Sequence, residues 1–301
     1  MSHPTRGSVE GRVYLDLQNK ARRDGRPNAE LQQLYVLEGF LARLAASPYR
    51  DRFVLKGGVL LAAFGTRRPT RDVDFQGLRL ANDTATVQAL VSEVAGMALD
   101  DGLVFHTRMA RAETIRDEDE YSGVRVTMTA TLARAHLTFH IDVNVGDPVA
   151  PSPVVVHVPR LLGGEPLALS GYTLPLVHAE KVVTALQRGT VNTRWRDFAD
   201  VWTLSAAHPV DGDELQTDLR IVADHRRVRL APLADVLDGY AALAQSKWAA
   251  WRRKQQMPQL PEQFDDTLQA VITFADPALT GQVADHTWNP SARQWQPLTG
   301  T

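Results

Sequence analysis

The sequence predicts an α+β protein, and three changes of pattern along the chain support that prediction. Residues 10–46 have the pattern of helices, residues 51–160 that of short strands, and residues 174–275 mainly that of helices again. Strands grouped in one stretch and helices grouped in others are typical of α+β folds. We therefore divide the chain into a core with N-terminal helices, residues 1–165, and a helical C-terminal subdomain, residues 166–301.

The N-terminal region contains two predicted helices that are separated at "RDGRPN". Gly25 and Pro27 end the first helix, and Asn28 is placed to cap the second. The second helix has leucines and aromatic residues at helical spacing, which form one broad apolar face. These residues are Leu31, Leu34, Tyr35, Leu37, Phe40, Leu41 and Leu44. We expect this face to pack against the strand region that follows.

The composition excludes several classes of protein. The 301 residues contain no cysteine, which excludes disulfides, thiolate zinc sites and thiol nucleophiles. The net charge of −2 excludes a global basic field, so any contact with a nucleic acid has to be local. No apolar run is long enough to span a bilayer, and the first residues lack the apolar centre of a secretory signal. We expect a cytoplasmic protein that does not associate with membranes.

One short stretch, "KGGVLLAAFGTRRPTRDVDF" (residues 56–75), ends in two acidic residues two positions apart. On a strand, Asp72 and Asp74 project from the same face, while Val73 and Phe75 face the core. Two adjacent carboxylates need a cation between them, and Mg²⁺ prefers oxygen ligands and also binds substrate phosphates. The sequence therefore predicts that Asp72 and Asp74 bind Mg²⁺.

The residues before this acidic pair are suited to binding a polyphosphate. Gly57 and Gly58 open a short predicted helix, and glycines at a helix N-terminus let backbone N–H groups approach a phosphate closely. Arginines in the following loop, "TRRPTR", can neutralise a triphosphate. They are Arg67, Arg68 and Arg71. Taken singly these features indicate a turn and a solvated loop, but their order and spacing favour a phosphate and metal site.

Residues 56–75 contain, in order, a glycine pair, a short predicted helix, a basic loop and an acidic pair. This arrangement resembles the nucleotidyltransferase superfamily of DNA polymerase beta, in which Gly-Ser opens a helix and D-x-D follows on the next strand. Gly58 replaces the usual serine. "LKGGVLL", "RPTRDVDF" and "AEKVVTALQRGTVNTRWRDFADVW" together resemble the AbiEii/AbiGii toxin family, the nucleotidyltransferase toxins of bacterial toxin-antitoxin systems. The resemblance covers roughly residues 10–210. It implies a polymerase-beta-like mixed sheet as the core of the fold.

The superfamily resemblance also implies a third carboxylate from a neighbouring strand. The candidate is Asp142 in "LTFHIDVNV", where His140, Asp142 and Asn144 alternate with apolar residues. The alternative interpretation is a half-exposed strand with an ordinary polar outer face. With Asp142, the expected metal ligands are Asp72, Asp74 and Asp142, holding two Mg²⁺ ions.

Further along the chain, the family resemblance implies roles for a lysine and an aspartate. Lys181 corresponds to the motif lysine that reaches a substrate phosphate, and Asp197 to an active-site aspartate, with Asp200 as the second choice. A surface Glu180–Lys181 pair and simple helix ion pairs are the alternatives. The expected nucleotide-binding residues are Lys56, Gly57, Gly58, Arg68, Arg71, Arg194 and Arg196.

The implied reaction is transfer of a nucleoside monophosphate from an NTP to an acceptor hydroxyl, with release of pyrophosphate. The resemblance implies RNA as the acceptor, above all the tRNA 3′ end, so that aminoacylation and translation are blocked. The alternatives are transfer to a small molecule or a protein, and an inactive relative that only binds a nucleotide or a partner. The implied partner is an antitoxin that either binds the protein or phosphorylates it.

Thr70 lies two residues before Asp72. A phosphate on Thr70 would add about −1.5 to −2 charges beside the metal carboxylates and would compete with the triphosphate for cations. We predict that phosphorylation of Thr70 silences the enzyme, which fits control by a kinase-type antitoxin.

A second basic and aromatic stretch, "SKWAAWRRKQQ", places Trp248 and Trp251 on one helical face. Cations interleaved with aromatic residues can bind single-stranded RNA. The alternative is that the tryptophans are core anchors and the cations a solvated face.

Overall fold

The computed structural model of the chain forms two compact units. Unit 1 comprises Met1–Asp147 and Pro153–Tyr172, and unit 2 comprises Pro148–Ser152 and Thr173–Thr301. The residues that the structure describes are 4–116, 122–145 and 152–298. No helix in these ranges is long and apolar enough to cross a membrane.

Unit 1 combines helices with one mixed sheet. Its helices are α1 (Val9–Asp24), α2 (Asn28–Ala46), α3 (Gly57–Leu60) and α4 (Thr84–Ala95). Its strands are β1 (Phe53–Lys56), β2 (Asp72–Gly77), β3 (Leu103–Phe105), β4 (Arg111–Arg116), β5 (Ser122–Leu132), β6 (Ala135–Val145), β7 (Val154–Val158) and β8 (Leu167–Gly171). Among the described residues these strands pair in the order β3-β5-β6-β2-β1-β8-β7, and β4 also pairs with β5. The predicted α+β class with a mixed sheet is confirmed.

The centre of this sheet joins segments that are far apart in sequence. β2 runs parallel to β6, and β1 and β5 run antiparallel to β2 and β6 on either side. In β2, Val73 and Phe75 are buried while Asp72 and Asp74 are half-buried on the other face, as the alternation predicts. Two neighbouring strands therefore present their polar residues on the same face.

Helix α2 packs on the sheet through β6 and β8 and also contacts α4. Its predicted apolar face is confirmed, but burial extends all around the helix, from Leu31 to Leu44. The buried charges on α2 are paired: Arg43 donates to both carboxylate oxygens of Asp101, at 2.5 and 3.1 Å. The helix is thus a central element of unit 1 rather than a surface helix with one buried side.

The start of α2 differs from the sequence-based prediction. Helix α1 ends as predicted at Gly25, which has the left-handed conformation with φ 64°. The residue that caps α2 is Pro27, however, and it makes no side-chain capping bond. Asn28 is already the first helical residue, and its Oδ1 is buried without a hydrogen-bond partner among the described residues. The prediction of Asn28 as the cap is therefore wrong.

Unit 2 is mainly helical, as predicted. Its helices are α5 (Leu174–Arg188), α6 (Trp195–Ala207), α7 (Gly212–His225), α8 (Leu233–Val236), α9 (Tyr240–Lys254) and α10 (Phe264–Leu279). It also contains strands, which form a small sheet in the order β11-β10-β9. They are β9 (Val210–Asp211), β10 (His286–Asn289) and β11 (Gln294–Pro297).

The tail of unit 2 is a β-hairpin, which the sequence did not predict. Trp288 of β10 lies opposite Trp295 of β11. The indole N–H of Trp288 donates to the carbonyl of Ser205 at 2.6 Å, and that of Trp295 donates to the carbonyl of Phe274 at 2.9 Å. The two tryptophans of the hairpin therefore fasten the tail to the helical part of unit 2.

Trp248 of α9 is a core residue, with 0% of its surface exposed. Its indole N–H donates to the carbonyl of Pro261 at 3.1 Å, and its ring stacks on Trp251 at a centroid distance of 5.3 Å. The neighbouring Arg252 donates to the carbonyls of Leu260 and Pro258, each at 2.8 Å. The core-anchor interpretation is confirmed for Trp248, whose ring is not available to stack on a base.

Candidate active site

Three carboxylates meet on one face of the unit 1 sheet, and we call them the acidic cluster. Asp72 and Asp74 project from β2, and Asp142 projects from β6, where it is paired in register with Asp74. One oxygen of each carboxylate lies within 4.8 Å of the other two. The residue proposed as the third carboxylate is therefore brought together with the D-x-D pair, because the parallel pairing of β2 and β6 aligns their polar faces.

The acidic cluster has a cation on each side along the sheet. Lys56 of β1 lies opposite Asp74, and Arg125 of β5 lies opposite Asp142. Residues that lie directly opposite each other in neighbouring strands project to the same face. The order across the four strands is therefore cation, carboxylate, carboxylate, cation.

Arg125 is a site residue that the sequence reasoning missed. Its Nε and Nη2 atoms donate to the two oxygens of Asp142 at 2.8 and 2.6 Å. These hydrogen bonds raise the pKa of the Arg125 guanidinium further above its ordinary value, and the charges of Asp142 and Asp72 add to the effect. Arg125 is therefore a permanent cation at the edge of the acidic cluster.

The glycine pair has two different roles in the local structure. Gly57 has a left-handed φ of 67°, and a Cβ atom on this residue would lie 2.0 Å from Oδ2 of Asp74. Only glycine fits there, because the Asp74 carboxylate occupies the space that any side chain would fill. A Cβ on Gly58 would instead meet the guanidinium of Arg68, at 3.0 Å. Arg68 thus fills the space beside the position where the superfamily has serine.

The lysine before the glycine pair and the arginines of the loop after it have different environments. Lys56 is buried, and its ammonium lies 5.5 Å from the centre of the Tyr172 ring. Arg68 is buried as well, whereas Arg71 is exposed. Arg67 donates to the carbonyl of Pro159, which ties the loop to the end of β7. Their predicted role in binding a nucleotide stays a prediction.

Thr70 makes direct contact with the acidic cluster. Its hydroxyl donates a hydrogen bond to Oδ1 of Asp72. Each carboxylate of the cluster thus has a neighbour that restricts it: Thr70 bonds to Asp72, the Gly57 turn packs against Asp74, and Arg125 bonds to Asp142.

The residues predicted near Lys181 form a buried ion-pair network in unit 2. Lys181 of α5 donates to Asp197 at 3.0 Å and to Asp200 at 2.7 Å, both on α6. Nε of Arg194 donates to the second oxygen of Asp197 at 2.5 Å. The alternative of a surface Glu180–Lys181 pair is wrong, because only 11% of the Lys181 side chain is exposed. We call these four bonded residues the Lys181 network.

Within the Lys181 network, Asp197 is held in its charged form. Burial raises the pKa of the Asp197 carboxyl, but Lys181, Arg194 and Arg196 together outweigh burial and hold this pKa below its usual value. Arg196 itself is exposed. The network accounts for the conformation of these side chains, and their role in a reaction stays a prediction.

The acidic cluster fits a hard divalent cation. Mg²⁺ takes oxygen ligands, and the cluster offers three carboxylates at mutual distances that one ion or two ions can bridge. Arg125 uses one lone pair on each oxygen of Asp142, and each oxygen keeps a second lone pair for a metal. Asp72, Asp74 and Asp142 are the residues that would hold the ion.

Comparison with known proteins points to a single family. A family model described as "Nucleotidyl transferase AbiEii toxin, Type IV TA system" matches residues 39–270. One similar solved structure is that of MenT4, a nucleotidyltransferase toxin from Mycobacterium tuberculosis. Its TM-score is 0.50 and its sequence identity to this chain is 19%. The alignment covers 88% of this chain and 98% of MenT4. The likeness to MenT4 shows a shared fold.

A second solved structure, described as that of a candidate nucleotidyltransferase from Helicobacter pylori, has a TM-score of 0.49 and 14% identity, with 84% of this chain and 96% of that protein covered. No curated protein matches the chain. The family match spans the acidic cluster in unit 1 and the Lys181 network in unit 2.

Proposed function

The chain belongs to the AbiEii nucleotidyltransferase toxin family of type IV toxin-antitoxin systems, and we propose that it transfers a nucleoside monophosphate from an NTP to the 3′ end of tRNA. The observation that carries the proposal is the convergence of Asp72, Asp74 and Asp142 within 4.8 Å. Addition to the tRNA 3′ end would block aminoacylation and thereby translation. A toxin of this family implies an antitoxin as its partner.

Positioning by the protein accounts for most of the proposed catalysis. Two Mg²⁺ ions at the acidic cluster would lower the pKa of the attacking hydroxyl and stabilise the leaving pyrophosphate. The chain contributes the fixed arrangement of the three carboxylates, which Thr70, Gly57 and Arg125 hold. Metal ligands held by a second contact are oriented before substrate arrives, so little rearrangement is needed during the reaction.

The triphosphate needs cations, and unit 1 has three candidates near the acidic cluster. Lys56 is paired across the strands with Asp74, Arg68 lies against Gly58, and Arg71 directly precedes Asp72. We propose that these cations bind the triphosphate as point charges and, for the arginines, as forked donors.

For unit 2, we propose separately that Lys181, Arg194 and Arg196 contribute positive charge to nucleotide binding, and that Asp197 contributes to the reaction. Lys181 already has two carboxylate partners. A contact between Lys181 and a phosphate therefore requires the ammonium to exchange or share one of these partners. The variants described in the Discussion separate this role from a purely structural one.

The direct test is incubation of the purified protein with Mg²⁺, total RNA and each α-³²P-labelled NTP in turn. We expect label in RNA of tRNA size, lost with EDTA and lost after periodate oxidation of the RNA, which destroys the 3′-terminal diol. Label in a protein or a small molecule instead of RNA would contradict the acceptor but keep the transferase. Absence of any labelled product would contradict the enzyme.

Cellular toxicity supplies an independent readout. An inactive relative that only binds a nucleotide or a partner would keep its toxicity in the variants Asp72→Ala and Asp74→Ala. The proposed enzyme loses it in both.

A further inference from the structure

Four side chains form a row across the middle of the unit 1 sheet. Their order is Lys56, Asp74, Asp142 and Arg125, from β1 through β2 and β6 to β5. The two carboxylates are neighbours on the parallel strands β2 and β6. Two like charges side by side repel each other, so in the absence of other contacts each carboxylate would rotate away from the other.

Asp142 is the more buried member of this pair, with 7% of its surface exposed. A buried carboxylate is costly unless it is paired and hydrogen-bonded. Arg125 supplies both, with bonds of 2.8 and 2.6 Å to the two oxygens. Because these two parallel bonds come from one planar guanidinium, they fix the plane of the carboxylate as well as its charge.

We propose that Arg125 is a positioning residue of the acidic cluster. Its forked bonds hold Asp142 in line with Asp74, so that all three carboxylates are in place before a divalent ion binds. The inference rests on the proposed function only in taking the acidic cluster as a metal site. It assigns to Arg125 a role that is exerted through Asp142.

Lysine and arginine are not equivalent in this role. A lysine at this position would keep the positive charge but could not form two parallel bonds to the carboxylate. Arg125→Lys therefore removes positioning and keeps charge, whereas Arg125→Gln removes both. Arg111 provides the matched control, because it is an exposed arginine on the adjacent strand β4, opposite Thr127.

The experiment is a titration of the nucleotide-free, full-length protein with Mn²⁺, with free Mn²⁺ measured by electron paramagnetic resonance. We expect Arg125→Lys and Arg125→Gln to bind Mn²⁺ about tenfold more weakly or worse, as found when other residues that orient metal ligands are replaced. Arg111→Gln should bind Mn²⁺ as the wild type does. Melting temperatures of all proteins are recorded without metal.

Arg125→Lys decides the result if Arg125→Gln does not fold. Unchanged Mn²⁺ affinity in Arg125→Lys would overturn the proposal, since charge alone would then suffice. Tighter binding in either variant would also overturn it, because Arg125 would then compete with the metal for Asp142. A lower melting temperature with unchanged affinity would overturn it in favour of a purely structural role.

A double-variant measurement checks that the effect passes through Asp142. In an Asp142→Asn background, Arg125→Lys should cause no further loss of Mn²⁺ affinity, because the two residues act as one unit. Additive losses would overturn the proposal.

The same experiment separates this inference from the proposed function. Failure of the wild type to bind Mn²⁺ would overturn both. Normal binding that does not depend on Arg125 would overturn the inference alone. Binding that depends on Arg125, in a protein that transfers no nucleotide, would overturn the proposed function alone.

Discussion

The hydroxyl of Thr70 donates a hydrogen bond to Oδ1 of Asp72. The sequence indicated only that Thr70 lies two residues before Asp72, whereas the structure shows a hydrogen bond between the two side chains. The hydroxyl stabilises the charged carboxylate by donating to it. A phosphate on the same oxygen atom would remove the donor and bring a second anion to the carboxylate.

We therefore predict that phosphorylation of Thr70, or Thr70→Glu, abolishes nucleotidyl transfer. Like charges about 4 Å apart repel by about 4 kcal/mol near a protein surface, which corresponds to a loss of at least a hundredfold. Thr70→Val removes only the hydrogen bond and should cost much less. Thr66→Glu, at the start of the same loop, is the control and should retain transfer. A phosphorylated Thr70 protein with full activity in the labelled-NTP assay would contradict the prediction.

The proposed metal ligands Asp72 and Asp74 can be tested by substitutions that change the shape of the side chain very little. We expect Asp72→Asn and Asp74→Asn each to lower transfer about a hundredfold or more, the size of effect seen when one group that stabilises transition-state charge is removed. Asp100→Asn, which removes an exposed carboxylate from the same unit, should have no effect. Circular dichroism checks that the variants fold. Retained transfer in both site variants would rule out the acidic cluster as the centre of the reaction.

The Lys181 network predicts a large effect on stability. Lys181→Met leaves Asp197 and Asp200 buried without the ammonium that bonds to both. Breaking a buried ion pair by removal of one partner costs about 3–5 kcal/mol, and we expect a loss of this size in the free energy of unfolding measured with urea. A Lys181→Met protein as stable as the wild type would contradict the buried network.

A double variant separates the structural role of Lys181 from a role in the reaction. In the double variant Lys181→Met with Asp200→Asn, an uncharged amide replaces one of the two carboxylates that bond to Lys181. Part of the lost stability should therefore return. We expect transfer to stay low, because the proposed charge for the nucleotide is still missing. If stability and transfer return together, the role of Lys181 is structural.

Asp218 of α7 predicts a pH-dependent stability of unit 2. Its side chain is 1% exposed, and Oδ2 has no hydrogen-bond partner among the described residues. Burial, with Glu214 adding to it, raises the pKa of the Asp218 carboxyl to about 7 from 3.8. Between about pH 4 and pH 7, the Asp218 carboxyl therefore keeps its proton in the folded protein and loses it in the unfolded chain. This penalty on folding is present in full above pH 7 and disappears as the pH falls towards 4.

We expect Asp218→Asn to be more stable than the wild type at pH 8, by on the order of a few kcal/mol, and similar to it at pH 4. Urea unfolding at both pH values measures the difference. Asp224→Asn, at an exposed position of the same helix, is the control and should show no such dependence. Equal effects of Asp218→Asn at pH 8 and pH 4 would contradict the raised pKa.

The parts of the site that the sequence predicted are those that depend on local periodicity. Alternation of apolar and polar residues placed Asp72 and Asp74 on one face of β2 and Asp142 on the polar face of β6. The left-handed conformation of Gly57 is also a local property of the chain. Patterns of this kind are visible in any short window of sequence.

Arg125 was missed because its role depends on strand register. It meets Asp142 only through the β5–β6 hairpin, which turns at Ala133 and Arg134. Ala133 has a positive φ of 49°, where a hairpin of this kind usually has glycine or asparagine. Without that turn signal, the sequence does not show which residues of β5 and β6 lie opposite each other. A shift of the pairing by one residue would move Arg125 to the opposite face of the sheet. The tail hairpin was missed because each of its two strands has only four residues.

The glycine pair yields the final prediction, which separates two roles that the sequence motif combines. Gly57→Ala places a Cβ on a left-handed residue, 2.0 Å from Oδ2 of Asp74. The carboxylate has to move, so we expect Mn²⁺ affinity and transfer to fall about tenfold or more. Gly58→Ser restores the usual residue of the superfamily and meets only the end of the Arg68 side chain, at 3.0 Å. Because that side chain can shift, we expect transfer within about threefold of the wild type, a change in barrier of less than about 1 kcal/mol.

Retained metal binding in Gly57→Ala would show that Asp74 does not need the turn. Inactive Gly58→Ser with normal Mn²⁺ binding would show that the position of Arg68, rather than the space beside Gly58, is what the reaction requires.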